Sequence, residues 1–105
     1  MYHWPQPIKN HTIGGKNNMI SVVHAQFPQV TNEERAKIYE KLKNENWTKI
    51  HTIGLDVSTI WYASYNSMDV NVVTNSSVNE FRNAAKPFTV PKLVVHVGGG
   101  IPTVH

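Results

Sequence analysis

NMISVVHAQF, residues 18–27, alternates as a half-buried strand must, because successive side chains on extended backbone point to opposite faces. Ser21, Val23, Ala25 and Phe27 share one side, and Ile20, Val22, His24 and Gln26 the other. Both sides are partly apolar, which predicts a strand inside a sheet with helices on one face. Residues 92–97, KLVVHV, repeat the arrangement: Leu93, Val95 and Val97 share one face, Val94 and His96 the other. Each strand carries one histidine, on the face with less apolar bulk.

Between these strands the pattern changes period. Pro28, Gln29 and Val30 turn the chain, and Thr31 with Glu34 three residues later makes a capping box that opens a helix. Ile38, Tyr39 and Leu42, with Ala36 nearby, form its apolar stripe. Glu33, Arg35, Lys37, Glu40, Lys41, Lys43 and Glu45 alternate in sign on the other side, so that side reads as a solvated surface and not as a phosphate-binding ridge. Asparagines at 44 and 46 end the helix. Residues 47–54 (WTKIHTIG) read as a short strand and 58–66 (STIWYASYN) as a stronger one. After turn chemistry at 66–69, residues 70–75 (VNVVTN) read as a third segment that closes a hairpin. Which two of the three belong to the main sheet is left open by the pattern. A second helix is expected from Ser76 or Ser77, with Ser77 and Glu80 as its capping box and Val78, Phe81, Ala84 and Ala85 inward. Pro87 stops it, Pro91 opens the late strand, and Gly98-Gly99-Gly100 ends that strand before a short tail.

Residues 1–17 read as an arm. Pro5 and Pro7 hold extended backbone, and Gly14-Gly15 makes a hinge before the single domain of residues 18–105. Tyr2, His3 and Trp4 are apolar enough to dock on this chain or a second copy, or to stack on a base.

The order strand, helix, two or three strands, helix, strand predicts an α+β class, most simply the ferredoxin-like βαββαβ sandwich: an antiparallel sheet with both helices on one face. On that plan the first and last strands are expected side by side in the middle of the sheet. The other face is expected to be open, for pairing with a second sheet or for a ligand.

Composition narrows the functional classes. With 40% hydrophobic and 16% charged residues the chain is a folded domain and not a disordered one. A net charge of +3 suits an ordinary surface as well as a nucleic-acid groove. There is no cysteine, which excludes disulfides, thiolate metal sites and cysteine nucleophiles. No apolar run reaches the ~20 residues of a membrane span, and no signal pattern opens the chain, so no membrane association and a cytoplasmic location are expected. Asn-x-Ser/Thr triplets at Asn10, Asn46 and Asn75 then read as chance. The tetrapeptide His-Thr-Ile-Gly at 11–14 and 51–54 is too short for a structural repeat. The glycine run opens no helix and lacks Gly-Lys-Ser/Thr, so it is no phosphate loop, and no serine stands in a nucleophile elbow. Asp56 and Asp69 fall in turns.

If the helices cover Val23, Ala25 and Phe27, then Val22, His24 and Gln26 face outwards beside Val94 and His96. Cross-strand neighbours stand about 4.5–5.5 Å apart at the β-carbon, so His24 and His96 come within reach of each other. They are the candidate proton-transfer pair; Val22, His24, Val94, His96, Trp61 and Tyr65 are the candidate binding residues. Two imidazoles alone do not complete a metal site, and neither metal nor cofactor is expected.

In layout the chain is similar to small ferredoxin-like RNA-cutting proteins and GhoS-type antitoxins, and also to the dimeric α+β barrel families. The likeness is one of topology. The metal-binding aspartate that RNA-cutting relatives of this plan carry near the end of the first strand would fall at 25–27, where Ala25, Gln26 and Phe27 supply no carboxylate. Three readings follow. The leading one is a non-enzymatic protein-binding domain, homodimeric through its open sheet face, of the antitoxin, immunity or inhibitor kind. The second is an RNA-binding or RNA-cleaving domain that uses the histidines together with Trp4, Trp61, Tyr62 and Tyr65. The third is a small-molecule enzyme or sensor whose pocket lies at the dimer interface, lined by His24, His96, Trp61 and Tyr65.

Overall fold

A computed structural model describes residues 18–50 and 59–98. The elements are β1 (Asn18–Gln26), α1 (Asn32–Asn44), β2 (Thr48–Ile50), β3 (Thr59–Asn66), α2 (Val70–Ala85) and β4 (Lys92–Gly98). The strands form one antiparallel sheet in the order β2-β3-β1-β4. This is an α+β architecture whose strand order and two helices are compatible with the ferredoxin-like plan. β4 lies beside β1 as expected, but at the edge of the sheet and not in its middle, because β3 takes the other central place. The arm of residues 1–17, both His-Thr-Ile-Gly stretches, Asp56, Gly99, Gly100 and the tail lie outside the described residues.

α1 begins as its sequence requires. The Glu34 backbone N–H donates to Thr31 Oγ1 (3.1 Å) and the Thr31 N–H to Glu34 Oε1 (2.9 Å), which completes the capping box. Its end is a Schellman turn: Trp47 N–H reaches the Leu42 carbonyl, Asn46 N–H reaches Lys43, and Asn46 takes the left-handed φ of 69°. That turn drives Trp47 into the core, where it stacks edge-on against Phe81 at 4.7 Å. Ile38 and Leu42 are buried as expected, whereas Ala36 faces solvent.

α2 departs from the sequence reading. Residues 70–75, expected as a strand, are the first turns of this helix. Asp69 is its N-cap, with Oδ1 accepting from Asn71 N–H (2.9 Å) and Val72 N–H (3.3 Å). Val73, Ser77, Phe81 and Ala84 then recur at helical spacing and are all buried. Ser77 is accordingly mid-helix, and the capping box expected there does not form.

Both helices pack on the sheet face of Val23, Ala25, Trp61, Ala63 and Tyr65. Phe27 closes one end, and Leu93, Val95 and Val97 of β4 pack partly buried against the same cluster. Burial of each large apolar side chain contributes about 1.5–3 kcal/mol, so this face holds most of the fold's stability. Two hydroxyl contacts fix the strand ends. Thr59 Oγ1 donates to the Ala25 carbonyl, and Thr89 Oγ1 donates to the Pro28 carbonyl (2.8 Å), tying the lead-in of β4 to the end of β1.

Candidate functional site

The register of β1 with β4 sets Val22 opposite His96, His24 opposite Val94 and Gln26 opposite Lys92. Residues opposite one another share a face, so these six side chains stand together on the side away from the helices. From β3, Ile60 lies opposite His24 and Tyr62 opposite Val22. The two histidines are therefore diagonal neighbours, with ring centroids 5.8 Å apart and ring planes crossed at 71°. Both are exposed, and among the described residues neither imidazole has a hydrogen-bond partner.

Exposure divides this face in two. Val94 is 57% exposed, and His24, Gln26, Lys92 and His96 are also exposed, whereas Ile20 and Tyr62 are no more than 9% exposed and Ser64 is buried with them. The accessible part is thus a strip along β1 and the edge strand β4, not the whole sheet. A shallow hollow of about 230 Å³ lies within it, lined by His24, Gln26, Lys92, Leu93 and Val94. Alternation in the sequence had already put Gln26 beside His24; Lys92 needed the register.

Trp61 and Tyr65 do not join this strip. Trp61 pairs with Val23 and Tyr65 with Met19, which turns both rings under the helices, where they are almost wholly buried. The expected grouping of Trp61 and Tyr65 with His24 and His96 does not form, because the one-residue alternation of β3 gives the open face Ile60, Tyr62 and Ser64 instead. Trp61 Nε1 donates to Thr59 Oγ1 (2.8 Å), and its ring meets Tyr39 and Phe81. Tyr65 belongs to a core network in which Glu80 accepts from both Trp47 Nε1 (2.8 Å) and Tyr65 OH (3.1 Å). Burial pushes the Tyr65 hydroxyl well above the ordinary tyrosine range; a hydrogen bond with Ser77 pulls it part of the way back, and the Glu80 charge pushes it up again.

Among the described residues no three His, Asp or Glu side chains come together as a metal site. Asp69 is committed to the start of α2. Elsewhere, a more apolar hollow of about 380 Å³ lies between the end of α2 and the approach to β4, lined by Arg82, Lys86, Phe88, Val90 and Pro91 among others. No helix among the described residues is long and apolar enough to cross a membrane. No family model, curated protein or solved structure matches this chain.

Proposed function

We propose that this protein is a small protein-binding domain that pairs with a second copy of itself through the exposed strip of β1 and β4. The observation that carries the reading is Val94, 57% exposed on an edge strand between the two histidines, with half-buried Val22 beside them. Strand edges left open with apolar side chains beside them are sites of strand or sheet addition. Charge favours a second copy as occupant: Lys92 is the one formally charged side chain among the six facing residues of β1 and β4, so two strips meet with little like-charge repulsion. In this reading the protein works by occupying another protein, in the manner of an antitoxin, immunity protein or inhibitor, once paired.

Light scattering behind size exclusion tests the pairing. The expected mass is that of two chains for the unaltered protein at high concentration, and that of one chain, 11.9 kDa, for Val94→Glu. A chain that stays single at every concentration argues against the reading, as does a Val94→Glu variant that still pairs. The RNA reading keeps the histidine pair but loses Trp61 and Tyr65 as stacking platforms, since both are core residues. Affinity for RNA that falls steeply with added salt would favour it over the pairing module.

A further inference from the structure

We infer that His24 and His96 are one half of a zinc-class metal site that the same two residues of a second copy complete. The inference rests on the pairing proposed above. Zinc binds imidazole nitrogen at about 2.0–2.1 Å, which places the ion about 3 Å from each ring centre and two bound rings about 5–6 Å apart. His24 and His96 stand 5.8 Å apart, centroid to centroid, without any ion to draw them together. Their rings are crossed at 71° and not stacked. Neither imidazole is held by another hydrogen bond among the described residues, and both reach solvent.

What the pair lacks is the rest of a four-coordinate shell. The neighbouring side chains are Gln26, Lys92, Val22, Val94 and Ile60, and among the described residues no third metal-ligating group joins the two histidines. In the paired form proposed above, the two further ligands are supplied by the second copy. A two-fold axis through the strip brings each residue near the axis onto its own copy, so one second chain supplies two imidazoles at once. Imidazole sets of this kind suit zinc, nickel and copper ions and reject magnesium and calcium. Because no acceptor among the described residues orients the rings from behind, binding in the micromolar range is expected, weaker than in a buried structural site.

The test titrates zinc chloride into the full chain, stripped of metal beforehand, and follows heat and mass together. One zinc per two chains, with a mass of two chains, is the expected result. His24→Ala and His96→Ala should each weaken binding by roughly tenfold or more. Both variants keep every other histidine of the chain, and both changes fall on exposed side chains, so circular dichroism should be unchanged. Zinc binding that survives in both variants overturns the inference, as does one zinc per chain with no change in mass. A metal-free dimer that takes up no zinc overturns the metal site and leaves the pairing standing. A chain that stays single with and without zinc removes both.

Discussion

At the scale of single residues, a pair of buried serines joins β1 to α2. Ser21 Oγ and Ser77 Oγ lie 2.6 Å apart with no solvent exposure, and Ser77 Oγ gives its proton to the Val73 carbonyl at 2.7 Å. With the Ser77 proton on the Val73 carbonyl, which can only accept, Ser21 is the donor to Ser77 Oγ. Ser77→Ala then leaves a buried donor without an acceptor and should cost about 1–3 kcal/mol, whereas Ser21→Ala removes donor and contact together and should cost less. Adding Ser21→Ala to Ser77→Ala should recover part of the loss. Urea unfolding of the three variants measures this, and equal costs for the two single changes would refute the proton assignment. Tyr65 sets an alkaline limit in the same way. Its folded pKa is raised above the usual value of about 10, so the stability it contributes is intact below that pH. Above it the unfolded chain loses the proton first, and stability falls as pH rises. Tyr65→Phe should be weaker near neutral pH, by about 1 kcal/mol for the lost hydrogen bond to Glu80. Its decline above pH about 10 should be shallower, by up to about 1.4 kcal/mol per pH unit. Parallel alkaline slopes for the two proteins in urea titrations would mean that Tyr65 ionises as freely folded as unfolded.

At the scale of elements, α2 shows how a local pattern is overruled. Val70, Val72 and Val73 carry strand propensity, and read alone they suggest a strand. Helical spacing wins because Val73, Ser77, Phe81 and Ala84 fall on one face that the sheet can cover, while Val70 and Val72 remain 47% and 46% exposed. Asp69 decides where the helix begins, by satisfying two of its first backbone donors. Asp69→Ala should therefore destabilise the protein by about 0.5–2 kcal/mol in chemical denaturation, and Asp69→Asn by much less. No effect from Asp69→Ala would mean that packing alone fixes the start of α2. The contrast with α1 explains what was legible. Thr31 and Glu34 form a two-residue signature that names a helix start, and the alternation of residues 20–27 and 92–97 names a face for every side chain; both survive in the structure. Asp69 is a turn residue and a cap residue alike, and only the burial of residues four and eight positions further on tells the two apart. The site was legible to the same degree. Alternation put His24 and His96 on one face, but the face of Trp61 and Tyr65 depends on the register of β3, which its sequence does not carry because side chains on both of its faces are apolar and aromatic.

At the scale of the whole molecule, the sheet spends one face on the core and leaves only a strip of the other exposed. A stable interface buries about 800 Å² on each partner, more than a few side chains of β1 and β4 provide unless the edge of β4 joins in. Pairing through this strip is therefore expected to be weak and concentration-dependent, and stability should depend on concentration with it. If two folded chains give two unfolded ones, a tenfold rise in protein favours the folded dimer by about 1.4 kcal/mol, shared between two chains. For a domain of this size that is a rise in melting temperature of a few degrees for each tenfold in concentration. Val94→Glu replaces an exposed side chain, so it should leave the fold of the single chain nearly as stable while removing the concentration dependence. The variant should melt at the temperature that the unaltered protein approaches on dilution. Thermal scans from about micromolar to several hundred micromolar decide the matter, because a melting temperature that ignores concentration in both proteins leaves β4 an edge strand with nothing on it, and one that rises in both places the interface elsewhere on the surface.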